Sequence, residues 1–223
     1  MALKEKIYGT LVVCFFFIGI HGGMSQRMHR YGFHEKDWLV EAQVPDSTFL
    51  EWKDDQLVVD SKAGTTIWFK SKLSGHYTIE YDRQFLFSDV HYPRLSDLNQ
   101  FWAALSKTGL APFGKNGSLE AYNGLVLYYM GFGGNSNSTT RFRRYDGSGN
   151  RILLKEFLDE KFLLQKDKLY HVKTEVNGPR TRVWIDDQLL FDYTDRTDIP
   201  AGYFGLRLTW SAQQVSHFTV TTF

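Results

Sequence analysis

The stretch that decides the fold is Tyr77-Thr-Ile-Glu-Tyr-Asp-Arg-Gln-Phe85, in which apolar and polar side chains alternate. Successive side chains on a β-strand point to opposite faces of its sheet. Ile79 and Tyr81 are therefore expected on one face, and Glu80 and Asp82 on the other. This alternation predicts a half-buried strand with one face in the core and one face in water.

The same pattern recurs along the chain between turn signals, and aromatic residues make up 16% of the sequence. In Thr139–Tyr145, Phe142 is expected to point inward, while Arg141, Arg143 and Tyr145 share the opposite face. In Tyr203–Trp210 the apolar row consists of Phe204, Leu206, Leu208 and Trp210. No long segment has helical periodicity. Many short strands of this kind predict an all-β fold, a two-sheet antiparallel jelly-roll sandwich of the concanavalin A-like kind.

The N-terminal segment has the composition of an export signal. Residues 1–25 begin with Lys4 and Lys6, continue through the apolar run Ile7–Ile20 and end in small residues, as secretory signal peptides do. The apolar run is shorter than the roughly 20 residues that span a bilayer, which disfavours a membrane anchor. We expect cleavage, a secreted or periplasmic protein without a membrane span, and a single jelly-roll domain in residues 26–223.

Composition narrows the chemistry further. The single cysteine, Cys14, lies in the predicted signal, so no disulfide or thiolate chemistry is expected in the mature chain. With 26 basic and 25 acidic residues the chain lacks the basic footprint of a nucleic-acid binder. Its histidines do not follow the spacing of a transition-metal site. The sequence therefore predicts neither a metal nor another cofactor.

A first polar cluster, residues 88–99, predicts a functional loop. It contains His91, Tyr92, Arg94 and Asn99, which are residue types suited to proton transfer and to binding a carboxylate. The loop leads directly into the aromatic residue Trp102. The alternative is an ordinary surface loop in which Arg94 makes an ion pair.

A second polar cluster, residues 131–145, combines glycines, asparagines and arginines. Asn135 and Asn137 offer neutral donors, and the forked guanidinium groups of Arg141 and Arg143 fit a sugar carboxylate. The alternative is a mobile loop followed by a strand whose arginines pair with Glu80, Asp82 or Asp146 across the sheet.

Two carboxylates on one strand suggest a further possibility. Glu80 and Asp82 share a face and lie about 6 to 7 Å apart at the backbone, a spacing that suits paired acid and base catalysis. Gln84, however, stands where retaining laminarinase-type enzymes carry their second glutamate. A glycoside hydrolase is therefore disfavoured, and we expect both carboxylates to bind substrate beneath the two loops, beside Arg141 and Arg143.

Five strings carry a resemblance to a known family: Ser74–Asp82, His91–Asn99, Gly133–Tyr145, Leu190–Tyr193 and Gly202–Trp210. They resemble a bacterial family of uncharacterised domains, which is similar to the concanavalin A-like lectin/glucanase superfamily and tends to occur beside pectin and rhamnogalacturonan degradation functions. The resemblance implies a jelly roll with a concave face that meets glycan, in a secreted or periplasmic setting. It implies no particular reaction, because that superfamily holds lectins, hydrolases, lyases and binding modules.

The leading hypothesis is a polysaccharide lyase that acts on an acidic, uronate-containing polysaccharide or oligosaccharide. Such an enzyme must neutralise the uronate carboxylate, remove the C5 proton and protonate the leaving oxygen. The candidates for the first task are Arg94, Asn99, Arg141 and Arg143. For the two proton transfers, the candidates are His91 with Tyr92 or Tyr145.

The alternative from another class is a non-catalytic carbohydrate-binding module. Its stacking surfaces would be Trp102, Tyr128, Tyr145 and Trp210, with hydrogen bonds from the asparagine loop. A purely structural envelope protein would also be exported, but it would not account for the concentration of His, Tyr, Arg and Asn in two loops.

Overall fold

The computed structural model describes residues 27–196 and 201–223, so the predicted signal segment lies outside the described residues. The described chain forms antiparallel strands with a few single-turn elements between them. The strands are β1 Arg27–Arg30, β2 Trp38–Ala42, β3 Thr48–Lys53, β4 Gln56–Phe69, β5 Tyr77–Phe85, β6 Leu98–Ser106, β7 Leu125–Gly133, β8 Thr139–Asp146, β9 Arg151–Phe157, β10 Leu169–Asn177, β11 Arg180–Ile185, β12 Gln188–Thr194 and β13 Tyr203–Thr222. The 3-10 turns are Glu35–Asp37, Pro45–Ser47, Glu120–Tyr122 and Glu160–Phe162, and a helical turn spans Gly134–Asn137.

Two long strands, β4 and β13, pass through both layers of the sandwich. Their first pairing joins Gly205–Thr209 to Gly64–Trp68, and their second joins Ser211–Ser216 to Gln56–Ser61. One half of this pair continues into β5, β10, β11 and β12, with β3 on its other side; we call this layer sheet A. The other half continues into β6, β7, β8 and β9, with β2 on its other side; we call it sheet B.

The main core lies between the inner faces of the two sheets. Trp102 of sheet B donates from Nε1 to Thr181 Oγ1 of sheet A at 2.9 Å, and the rings of Phe142 and Phe191 lie 5.1 Å apart. Ile79 and Tyr81 are buried in this core, as their alternation predicts. The predicted fold class, a two-sheet antiparallel sandwich, is confirmed.

Two residues that we expected to contact sugar belong to this core instead. Trp102 and Tyr128 lie on the inward faces of β6 and β7, and both are buried. The Tyr128 hydroxyl donates to Asp195 Oδ2 at 2.8 Å. Their expected role as stacking surfaces is wrong, because the opposite sheet already covers both rings.

The pair of long strands also explains the position of Trp210. Phe204, Leu206 and Leu208 are buried, as expected, but Trp210 is 53% exposed. The register of β13 against β4 shifts between Thr209 and Ser211, and Trp210 has a φ of 45°. This irregularity interrupts the alternation, so the indole turns outward at the bend between the sheets.

A buried arginine ties the two sheets together near the bend. Arg83 on β5 donates to Gln213 Oε1 at 2.5 Å, to the carbonyl of Asn99 at 2.9 Å and to the carbonyl of Arg207 at 3.0 Å. Burial lowers the pKa of its guanidinium to about 10. These bonds fix the start of β6 against β13, and thereby the position of Asn99.

A second aromatic cluster lies on the outer face of sheet B. It is formed by Trp68, Phe101, Tyr122, Tyr129 and Tyr145 with smaller apolar neighbours. The connection between β6 and β7, residues 107–124, folds back over part of this face and contributes Tyr122. No helix in residues 27–196 or 201–223 is long and apolar enough to span a membrane.

Candidate functional site

The first predicted loop is anchored to sheet A. Asp60 on β4 accepts hydrogen bonds from the backbone N–H groups of His91 at 2.6 Å and Tyr92 at 3.1 Å. His91 Nδ1 lies 2.9 Å from Asp60 Oδ2, and its ring stacks on Phe49 of β3 at 4.3 Å between centroids. His91 and the Tyr92 backbone therefore fasten the loop to the edge of sheet A.

Glu80 and Asp82 also lie on sheet A, on the outer face of β5. Asp82 bridges two histidines, since Oδ1 lies 2.7 Å from His171 Nδ1 and Oδ2 lies 2.7 Å from His217 Nδ1. Partial burial raises the pKa of the Asp82 carboxyl, but the hydrogen bonds and charges of the two histidines outweigh it and hold this pKa below its ordinary value. Glu80 Oε1 is 3.6 Å from His171 Nε2.

The expectation that Glu80 and Asp82 lie beside Arg141 and Arg143, beneath the two loops, is therefore wrong. The acidic pair belongs to β5 in sheet A, and the arginines belong to β8 in sheet B. Alternation predicted correctly that each pair faces away from the core. It could not indicate which sheet each strand joins, and this decides which outer faces meet.

The other predicted residues gather on the outer face of sheet B. Asn99 of β6 pairs with Arg207 of β13 on one side and with Gly131 of β7 on the other, and Gly131 pairs with Arg141 of β8. One step along the same face, Tyr129 pairs with Arg143. We call Asn99, Tyr129, Gly131, Arg141 and Arg143 the arginine face.

The floor of the arginine face is shaped by a glycine. Gly131 leaves room for the neighbouring Tyr129 ring, since a Cβ at Gly131 would approach Tyr129 Oη to 2.8 Å. The phenol hydroxyl thus lies above the Gly131 backbone, between Asn99 and Arg141. Any side chain at position 131 would displace it.

The two arginines of the face differ in their partners. Arg141 Nε is bonded to Glu156 Oε1 on the adjacent strand β9, which is an ion pair with a partner other than the predicted Glu80, Asp82 or Asp146. Arg143 is half buried and has no hydrogen bond or ion pair to any residue of the described chain. Among the described arginines that are at least half buried, it is the one without such a partner. No acidic side chain of the described chain pairs with its positive charge.

Two phenols lie near this free guanidinium. Burial raises the pKa of Tyr129 and of Tyr145, and the charge of Arg143 opposes the rise in both. Tyr145 is fully buried, and its hydroxyl has no hydrogen-bond partner among the described residues. Asn99 Oδ1 is likewise buried without a partner. Such groups are rare in folded proteins.

The end of the predicted first loop forms one border of the arginine face. Arg94 Nη2 lies 2.7 Å from Asp97 Oδ2, and Asn99 Nδ2 donates to Asp97 Oδ1 at 3.2 Å. The Asp97 N–H donates to the carbonyl of Gly133 at 3.1 Å, which holds the loop against the end of β7. Arg94 therefore makes the ion pair that the alternative of an ordinary surface loop predicts.

The hairpin between β7 and β8 separates the two predicted asparagines. Asn137 is bonded to the backbone of Leu164 twice, through Nδ2 to O at 2.9 Å and through Oδ1 from N at 2.8 Å. Asn135 is exposed, and its Nδ2 donates to Ser138 Oγ at 3.1 Å. The predicted sugar contact at Asn137 is therefore wrong, since its side chain fastens the hairpin, whereas Asn135 stays available at the border.

Sequence reasoning missed three residues that build this face. Tyr129 sits at its centre, Arg207 is buried beneath the 107–124 connection, and Glu41 lies on β2 at the covered side. A signal for Tyr129 was present, because the alternation of β7 places it on the face of Gly131 and Gly133. Arg207 gave a similar signal, because it alternates with Leu206 and Leu208 and is therefore expected on the polar face of β13, whereas Glu41 gave none.

A large cleft lies elsewhere, at the edge of the sandwich between β2 and β3, with a volume of about 860 Å³. Trp52, Lys36 and Lys70 help to line it, and it contains none of the predicted site residues. Within the described chain no group of three or more His, Cys, Asp or Glu side chains is arranged to hold a metal ion.

Solved structures with this fold include proteins that handle carbohydrate. One neighbour is described as a protein of unknown function with a galectin-like fold from Bacillus subtilis, with TM-score 0.67 and 15% identity over 83% of this chain and 89% of that one. A second is a carbohydrate binding module, CBM66, from Bacillus subtilis, with TM-score 0.56 and 17% identity over 83% and 96% of the two chains. A third is a prokaryotic β-1,3-1,4-glucanase (lichenase) derived from a mouse hindgut metagenome, with TM-score 0.51 and 10% identity over 89% and 99%.

At these identities the likeness concerns the fold alone, a sandwich that carbohydrate-binding and glycan-cleaving proteins share. No curated protein sequence matches the chain. The model of one protein family matches residues 59–218, which include both long strands in large part and every residue of the arginine face. The chain therefore belongs to the family described as Domain of unknown function (DUF6250).

Proposed function

We propose that this protein binds an acidic carbohydrate on the arginine face, with Arg143 holding the carboxylate of a uronate. The observation that carries the proposal is the free guanidinium of Arg143, which is half buried beside two phenols and has no partner in the described chain. A partly desolvated charge without a partner is costly to the protein unless a ligand neutralises it.

The chemistry of the face suits such a ligand. A guanidinium presents parallel N–H donors that match both oxygens of a carboxylate, and charge-assisted bonds of this kind contribute about 1.5–3 kcal/mol. Trp210 offers an exposed aromatic surface at the border, on which the C–H face of a pyranose ring packs well. We assign the hydrogen bonds to sugar hydroxyls to Asn135 and to the Tyr129 hydroxyl.

The comparisons support a carbohydrate ligand, because the fold is shared with the module CBM66 and with a lichenase. The acidic nature of the sugar rests on Arg143, and a pectin-type galacturonate is the uronate that the family resemblance favours. Such polymers lie outside cells, so the proposal includes export through the predicted signal in residues 1–25 and a secreted or periplasmic location.

A second candidate, β-elimination of the same uronate, is favoured by the position of Arg143 between Tyr129 and Tyr145. A neutralised carboxylate and a phenol acid are two of the three groups that a lyase requires. The third is a base. Burial raises the pKa of both phenols, so neither can serve as the base at neutral pH, and His91, the expected base, lies on sheet A. Binding without cleavage is the better-supported function.

The experiment is a calorimetric titration of the wild-type protein with oligogalacturonate, oligomannuronate and oligoglucuronate, and with neutral galacto- and gluco-oligosaccharides. The ultraviolet absorbance of unsaturated uronate is followed in parallel. We expect binding of an acidic saccharide without product, and a loss of about 10- to 100-fold in affinity for Arg143→Ala, which corresponds to about 1.4 to 2.8 kcal/mol.

Arg180→Ala is the matched control, because Arg180 lies on sheet A, where it pairs with Asp192 at 2.6 Å. Trp52→Ala tests whether the saccharide binds instead in the cleft between β2 and β3. Absence of binding to every acidic saccharide, or a loss of binding for Trp52→Ala with none for Arg143→Ala, would contradict the proposal. Accumulation of unsaturated product would replace it with the lyase.

A further inference from the structure

The connection between β6 and β7 closes one side of the arginine face. At Gly117, whose φ is 80°, its backbone lies directly on β2, since a Cβ there would be 2.6 Å from Gln43 N and 2.7 Å from Glu41 O. The Gly117 carbonyl accepts a hydrogen bond from Arg207 Nη1 at 2.7 Å. The connection therefore crosses β2, β4 and β13 in close contact with them.

Buried polar bonds lock this cover in place. The Glu41 carboxylate accepts from Trp68 Nε1 at 3.0 Å, from the Tyr122 hydroxyl at 2.7 Å and from the Lys115 N–H at 2.8 Å. Arg207, on the long strand β13, is buried under the same connection. Displacing the connection between β6 and β7 would expose the Glu41 carboxylate and the Arg207 guanidinium and would break their hydrogen bonds. The connection therefore forms a fixed wall of the face.

A second wall closes the lower end of the face, where Tyr145 is buried. Arg151 on β9 donates from Nε to Asn123 Oδ1 at 2.7 Å, and its Nη2 lies 3.3 Å from Glu120 Oε1. Its guanidinium also lies over the Tyr145 ring, 5.9 Å from the centroid. This bridge joins the outer strand of sheet B to the covering connection.

The third wall is at the upper end, where the first loop meets the hairpin of residues 134–138. Ser96 Oγ donates to the carbonyl of Gly133 at 3.0 Å, and Asn137 fastens the hairpin to Leu164. On the remaining side, toward β9, no segment of residues 27–196 or 201–223 covers the face, and Leu153 there is 49% exposed. Of the four borders of the arginine face, three are thus formed by bonded segments of the described chain, and the border toward β9 is not.

We propose that the arginine face binds the terminal uronate of a glycan chain and excludes internal residues. The inference rests on the proposed function and deepens it. An internal residue continues into sugar units on both sides and needs two exits, whereas a terminal residue needs one. With Arg143 holding the carboxylate, the rest of the chain leaves across β9, past the Arg141–Glu156 pair.

The test is the number of protein molecules that one chain binds. Size-defined oligogalacturonates of two, four and eight units, or the acidic oligosaccharide that the panel identifies, are titrated by calorimetry and the complexes are sized by sedimentation. We expect one protein per chain at every length. A ratio that rises with chain length contradicts terminal binding. Absence of binding at every length contradicts the proposed function itself, so the two failures differ.

A pair of variants tests the wall directly. Gly117→Val forces a side chain into β2, so we expect a displaced cover and more than one protein on each octasaccharide. Gly114→Val is the matched control, because Gly114 has a φ of 85° in the same connection but no atom within 4 Å of its Cβ position. We expect it to keep one protein per chain. A folded Gly117→Val protein that also keeps this ratio contradicts the role of the wall.

Blocking the chain ends gives a measurement on the wild-type protein alone, which stands even where a variant fails to fold. A bulky fluorophore is attached to the reducing end of one oligogalacturonate sample by reductive amination, which leaves every carboxylate intact. A second sample carries a blocking group at the non-reducing end. We expect one of the two modifications to abolish binding and the other to leave it unchanged. Equal binding of both blocked samples contradicts terminal recognition.

Discussion

The guanidinium of Arg94 lies over the indole ring of Trp210, 5.3 Å from the ring centroid. Arg94 is held in turn by Asp97, 2.7 Å from its Nη2 atom. The indole is therefore fixed on one face by a cation–π contact, and it remains 53% exposed. A rigid aromatic surface at the border of the arginine face is what a sugar ring requires for stacking.

Trp210→Ala should weaken binding of the acidic oligosaccharide about tenfold, or about 1.4 kcal/mol, because it removes the stacking surface. The free energy of unfolding should change little, since the indole is mostly exposed. Trp184→Ala is the matched control, because Trp184 of sheet A makes a similar contact with Arg182 at 5.1 Å. Calorimetry that finds equal affinity losses for the two variants would remove Trp210 from the site.

His91 and Asp60 should affect stability and leave binding intact. Asp60→Ala deprives the His91 and Tyr92 N–H groups of their acceptor, which should lower the free energy of unfolding by about 1–3 kcal/mol. His91→Ala should lower the free energy of unfolding by less than Asp60→Ala does. It should leave the affinity for the oligosaccharide unchanged, because the imidazole belongs to sheet A. Urea unfolding and calorimetry measure the two quantities. A large loss of affinity for His91→Ala would restore the first loop to the site.

Stability should fall steeply above pH 10. Burial raises the pKa of five tyrosines far above their ordinary value, so they stay protonated in the folded chain while they ionise in the unfolded one: Tyr77, Tyr81, Tyr122, Tyr128 and Tyr129. A tyrosine whose pKa is raised in the folded state contributes its full stabilisation at pH values below its unfolded pKa. This stabilisation is lost as the pH rises above that value, at about 1.4 kcal/mol per pH unit for each group.

Arg83 acts in the opposite direction over the same range. Its folded pKa is lowered to about 10, so Arg83 loses its proton at a lower pH in the folded chain than in the unfolded chain. The free-energy cost of burying its charge is therefore relieved as the pH rises further. Arg207 acts in the same direction, because burial lowers its pKa as well. Two arginines offset only part of the effect of five tyrosines, so the net effect is destabilising. Urea unfolding midpoints between pH 8 and pH 11 measure it, with tyrosinate absorbance as the monitor. Ionisation of all tyrosines near pH 10 without unfolding would contradict the burial pattern.

Alternation was sufficient to predict the layers of this fold. Ile79 and Phe142 face the core, and Glu80 and Arg143 face outward, because the period of two is a property of the strand itself. The same rule was wrong at Trp210, where a register shift between β4 and β13 reverses the side chain. That shift depends on pairing with a strand about 145 residues earlier in the chain, which local pattern does not encode.

The site was predicted in part for the same reason. Arg143 and Asn99 were identified by residue type, and they lie on one face because β6, β7 and β8 are consecutive neighbours. His91 and Asp82 were assigned to the same site wrongly, because β5 joins the other sheet through β13. Trp102 was misassigned because an aromatic residue beside a polar loop looks the same in sequence whether it faces solvent or the core.

The most direct test of the central claim is a cycle that removes the carboxylate and the guanidinium separately. Wild-type protein and Arg143→Ala are each titrated by calorimetry with the acidic oligosaccharide and with its carboxyl-reduced counterpart, in which each uronate is replaced by the neutral hexose. We predict that carboxyl reduction weakens binding to the wild type about 10- to 100-fold and has no further effect on Arg143→Ala, because the two groups bind each other. Equal losses on carboxyl reduction in both proteins would contradict the account.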